Sequence, residues 1–234
     1  MKTFLAQSFY CAVLMMLLTA AALIISIVYR SRHRDLRIFT WYLALALMED
    51  ISTLFALPVT PELNFRVFLA IILTFGFLLL DFIVCNLFIL RYIGSKLRRR
   101  IIRINGLLFF GVLTFEVTAT RPKTSAFFFV TDCVFLVVPC LFYFYELFSK
   151  LNLRPLKDQP SFWVITGILF LHACDIPLFL TVPFLENYQG AAYTLNYILF
   201  SIFFVLLIRA YLCPPQNQEN HSIIFVQNFP KPDR

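Results

Sequence analysis

Charge is scarce in this chain, and the places it avoids are the first clue. Only 14% of the 234 residues are Asp, Glu, Lys or Arg, against 60% hydrophobic, and the mean hydropathy is +0.80. No Lys or Arg lies in the interior of seven long apolar runs, at residues 7–29, 38–57, 67–92, 101–118, 124–148, 161–183 and 191–213. A helix needs about 20 apolar residues to cross an ~30 Å hydrocarbon core, and each run is of that order. The runs leave no space between them for a kinase, nucleotide-binding or DNA-binding module. Cysteine pairing is excluded too: Cys11, Cys85, Cys133, Cys140, Cys174 and Cys213 all lie within or at the edge of runs. None sits in an outer joint where an oxidising compartment would bridge it, so they read as small apolar fillers. Histidine is rare, and of His33, His172 and His221 only His172 falls inside a run. A zinc hydrolase site usually draws on several histidines, so an intramembrane metallohydrolase is a minor alternative and no resident metal is expected. Lysine is missing from the seventh run, which excludes a retinal Schiff base.

What basic charge there is collects in alternate joints. Those at 30–37, 91–103 and 150–157, with the segment from Arg209 onward, hold 16 of the 20 Lys and Arg residues. Basic joints stay on the cytoplasmic side, which places the N-terminus outside and the C-terminus inside. The net charge of +7 therefore points to anionic lipid headgroups and not to nucleic acid. Arg98, Arg99 and Arg100 are the densest cluster and the expected lipid-headgroup contacts. The first run has Lys2 ahead of it but Arg30, Arg32, Arg34 and Arg37 behind it, the reverse of a signal peptide's bias, so it reads as a retained helix. The fold class expected is all-α: a seven-helix transmembrane domain over residues 1–213, with a short disordered cytoplasmic tail at 214–234. Pro139 and Pro177 fall inside runs and predict kinks, while Ser161 after Pro160 reads as the N-cap of the sixth helix. Helices 1–3 and 5–7 would share an orientation in a three-plus-one-plus-three layout, with Asn86 and Asn196 as the one hint of correspondence.

The informative residues are acids at membrane depth. Glu49 and Asp50 lie near the middle of helix two and Asp81 near the middle of helix three. Asp132 is in the outer third of helix five, Asp175 one turn from His172 in helix six, and Asn196 in the outer half of helix seven. Glu116 and Glu146, near span ends, read as solvated. A charged side chain at the bilayer centre costs about 2.5–3.5 kcal/mol on insertion scales, so such groups face the bundle interior or a wet cavity. Several acids without basic partners cannot all stay ionised at close range; protons, hydrogen bonds or a bound cation must compensate. Two readings remain open. In one, Glu49, Asp50, Asp81, His172, Asp175 and Asn196 line a cavity that binds a ligand, proton or cation. In the other they are interhelical hydrogen-bond glue, at about 0.6–2 kcal/mol per pair.

The Glu49-Asp50 pair, the short joints, and the helix-six entry Pro160-Ser161-Phe162-Trp163 with Gly167 following carry a family resemblance. Over about residues 5–212 the chain resembles small standalone bacterial seven-helix membrane proteins, similar in layout to the seven-span input regions of sensor histidine kinases. That likeness implies sensing or scaffolding in the bacterial cytoplasmic membrane, with no assigned ligand; a non-enzymatic role and no cofactor are expected. Output would then pass through a separate signalling partner. A small-solute or proton-coupled transporter is the leading alternative.

Overall fold

The computed structural model describes residues 2–56, 65–119, 125–149, 155–181 and 189–214. The side chains of Glu116, Tyr188 and Tyr193 and the tail beyond 214 lie outside the described residues. Seven long helices account for nearly all the rest: α1 (Lys2–Val28), α2 (Arg37–Ala56), α3 (Phe65–Tyr92), α4 (Lys96–Ala119), α5 (Ser125–Ser149), α6 (Pro160–Thr181) and α7 (Gln189–Tyr211). Each coincides with one of the apolar runs. Among the described residues, α1, α3, α5, α6 and α7 are long and apolar enough to cross a membrane. In α2 the run is interrupted by Glu49-Asp50, and α4 opens with Lys96, Arg98, Arg99 and Arg100.

The distribution of polarity identifies the surrounding solvent. Leu14, Leu17, Ile24, Ile27, Leu107, Leu108, Leu141 and Phe148 face outward, while Asp50, Asp81, Asp132, His172 and Asp175 are buried. Water would not tolerate an apolar surface of that extent. Hydrocarbon requires it, and this is a membrane protein.

Six helices form a ring in the order α1–α2–α3–α5–α6–α7, and α1 packs on α7 to close it. Helix α4 lies outside the ring, against α5 and α3. Helices 1–3 and 5–7 are thus two halves that meet at the α3–α5 and α1–α7 seams. The Asn86–Asn196 correspondence does not carry over: Asn86 bonds its own helix at the Phe82 carbonyl (3.0 Å), whereas Asn196 reaches across to α6.

Close approach between neighbouring helices follows from small residues. Ala22 and Ser26 on α1 are fully buried. Gly167 on α6 has no room for a side chain, since a Cβ there would come within 2.9 Å of the Phe203 ring on α7. At the basic end, His33 Nε2 lies 3.1 Å from the Cys213 carbonyl and the Tyr211 hydroxyl donates to the Leu36 carbonyl at 2.9 Å, tying the α1–α2 joint to the end of α7. Burial holds the His33 imidazole below its ordinary pKa. Trp163 donates its indole N–H to the Lys157 carbonyl (2.8 Å) and stacks under Arg209, while Trp41 is exposed.

Two local expectations are corrected. Ser161 is not a cap: α6 starts at Pro160, whose missing N–H suits the first helical position. The Ser161 hydroxyl is buried and accepts a bond from the Tyr143 hydroxyl (3.2 Å). Glu146 is not solvated either. It is 3% exposed and accepts from the amides of Gly94 (2.8 Å) and Ser95 (3.0 Å), the unsatisfied donors at the start of α4.

Candidate functional site

The ring encloses a cavity of about 320 Å³, and among the described residues every helix except α4 lines it. Helix α2 contributes Glu49 and Asp50, α3 Asp81, α5 Asp132 and Cys133, α6 His172 and Asp175, and α7 Asn196. Ala12 and Met15 of α1 and the rings of Phe77, Phe129, Phe179, Tyr197, Phe200 and Phe204 complete the wall. Each of these helices carries its polar residue in or near its middle third, so the groups fall in one stretch of the bundle. On α6, His172, Asp175 and Phe179 share a face through i, i+3 and i+4 spacing.

All six residues singled out from the sequence, Glu49, Asp50, Asp81, His172, Asp175 and Asn196, lie on this cavity. Two interhelical contacts join them. His172 Nε2 is 3.4 Å from Asp81 Oδ2, linking α6 to α3, and Asn196 Nδ2 donates to Asp175 Oδ1 at 3.1 Å, linking α7 to α6. The Cys85 thiol donates to the other Asp81 oxygen, at 3.6 Å. Yet the polar groups do not satisfy one another. Among the described residues, Asp50 Oδ2, Asp132 Oδ1 and His172 Nδ1 are buried with no hydrogen-bond partner. Leaving such atoms bare costs on the order of 1–3 kcal/mol each, more for a charge, which glue alone does not explain. Among the described residues, five carboxylates line the cavity and no Lys or Arg does.

Sequence reasoning left three contributors out of the site. Asp132 was visible as an intramembrane acid, but its neighbours were not, because α3 and α5 are adjacent only in three dimensions. Cys133 looked like packing and has a face on the cavity. The aromatic wall is indistinguishable in sequence from the rest of the chain's 29 Phe.

The basic cluster has a different place. Arg98, Arg99 and Arg100 are on α4, outside the ring, and none lines the cavity. Arg98 pairs with Glu146 (3.0 Å) and lies over the Tyr145 ring (4.4 Å), so its charge is committed to protein. Arg99 is exposed but bonds the Ile93 carbonyl, and Arg100 is exposed. No family profile, curated protein or solved structure matches the chain.

Proposed function

We propose that the protein is a non-enzymatic sensor or accessory subunit of a bacterial cytoplasmic membrane. In this reading it has seven spans, an outside N-terminus and a cytoplasmic C-terminus. Its cavity binds a small cationic ligand, and its output passes to a separate membrane or signalling partner. The observation that carries the reading is the cavity itself: five carboxylates, no Lys or Arg among the described residues and an aromatic wall in a volume of about 320 Å³. That volume is at the small end of ligand pockets, ~300–1,000 Å³. Acidic groups and aromatic faces together suit an organic ammonium ion.

A direct test uses the purified chain in nanodiscs with tetramethylammonium, choline and short protonated amines. At least one should raise the melting temperature, because a ligand at about 100 times its Kd adds about 2.7 kcal/mol of stability. Asp175→Asn, which keeps the side-chain shape, should abolish the shift without lowering the unliganded melting temperature much. If none of these cations shifts the wild type, the cavity is not a receptor for organic ammonium ions.

One observation favours a second reading, a cation-coupled transporter: the two three-helix halves meet around the cavity, the layout alternating access employs. Saturable uptake of the stabilising cation into proteoliposomes would decide for transport.

The orientation has its own test. In a background with the native cysteines replaced, single cysteines at Ser31 and Ser95 should resist an impermeant thiol reagent in intact cells. Those at Asn64 and Asn187 should react. Strong outside labelling at Ser95 would invert the topology.

A further inference from the structure

We infer that Asp81, Asp132 and His172 form a binding site for one divalent transition-metal ion of the zinc class, set in the cavity wall where α3, α5 and α6 meet. The inference goes beyond the ligand reading and stands whether the cavity serves sensing or transport.

The first support is geometric. One ligating atom from each of the three residues lies within 4.8 Å of the others, and all three residues are buried. Zinc–nitrogen and zinc–oxygen bonds of about 2.0–2.2 Å at a tetrahedral angle put neighbouring donor atoms about 3.3–3.5 Å apart. The His172 Nε2–Asp81 Oδ2 separation is 3.4 Å, long for a charge-assisted hydrogen bond but right for one edge of such a site.

The second support is independent of the cluster's spacing. Asp132 is 3% exposed and faces the cavity, and its Oδ1 has no hydrogen-bond partner among the described residues. His172 is 4% exposed, and its Nε2 faces the Asp81 carboxylate. A buried carboxylate oxygen left unpaired in this cluster is a group awaiting a partner that accepts lone pairs. A cation is that partner. Charge completes the argument: with no Lys or Arg among the described residues on the cavity, a dication balances the two carboxylates and leaves a neutral imidazole as third ligand. One imidazole with two carboxylates suits zinc and its neighbours better than magnesium or calcium. The Cys133 thiol on the cavity wall adds a soft donor nearby.

The test uses the full chain, purified without a histidine tag, stripped with EDTA and incubated with Zn2+ before gel filtration and elemental analysis. About one zinc per chain is expected. Asp132→Asn and His172→Gln should each raise the Kd for Zn2+ by about tenfold or more. His33→Gln, outside the cavity, should leave the binding unchanged. Circular dichroism and a monodisperse elution confirm that the variants fold. Substoichiometric zinc in the wild type, or undiminished zinc in the two variants, overturns the proposal. If the variants fail to fold, the Co2+-loaded wild type decides. Intense visible bands of a four-coordinate ion support the site, and weak six-coordinate bands or none overturn it.

Discussion

Glu146→Ala is expected to destabilise the protein by on the order of 3 kcal/mol, measured as unfolding in nanodiscs or mixed micelles. One carboxylate holds three donors: the Gly94 and Ser95 amides and the Arg98 guanidinium. Hydrogen bonds to a charged group contribute about 1.5–3 kcal/mol each, and orphaned buried donors cost more than the bond was worth. The total is kept near the lower end because Arg98 retains 25% side-chain exposure and can turn to water. The same carboxylate sits at the N-terminal end of α4, where the helix dipole favours negative charge. Glu146→Gln keeps one acceptor and should lose about half as much. Arg98→Gln should lose least, since the two amides stay satisfied. Loss of the clamp also frees the joint at 93–95, so the Ala variant should be cut there by protease added from the basic side while wild type resists. An unfolding free energy within about 0.5 kcal/mol of wild type would refute the clamp.

Glu146 also marks the limit of what the sequence discloses. The seven helices were legible because hydrocarbon imposes a length and composition that few other constraints mimic, and each run reappears as a helix. The six polar residues on the cavity were legible for the same reason: an acid at membrane depth is expensive enough to need an interior place. Partners were not legible. Nearness to a helix end made Glu146 look solvated, but the three-residue joint at 93–95 brings two unsatisfied amides beneath it. Ser161 carried the residue type of a cap, yet Pro160 already begins the helix and Tyr143 takes the hydroxyl. Asp132 was seen singly, and its association with Asp81 and His172 depends on α4 leaving the ring so that α3 meets α5. Nothing in the spacing of apolar residues announces which helix is excluded.

What does hold α4 in its outside position leads to the second large effect. Pro139 lies within α5 and has no N–H, so the Phe135 carbonyl four residues earlier loses its helical donor. Asn105 of α4 supplies the replacement, its side-chain amide donating to the Phe135 oxygen at 2.8 Å. The proline therefore creates an acceptor on the outer face of α5, and α4 docks by filling it. Asn105→Leu should cost about 1–3 kcal/mol, because the carbonyl is left bare where lipid offers no donor. Pro139→Ala alone should be far milder, since the helix regains its own bond as the tertiary one weakens. The double variant is the decisive measurement. Once Pro139→Ala restores a backbone N–H that donates to Phe135 inside α5, the Asn105→Leu penalty should shrink to a few tenths of a kcal/mol, giving a coupling energy of about 1 kcal/mol or more. Additive effects would show that the two residues act independently, and that α4 is held on the ring by apolar packing alone.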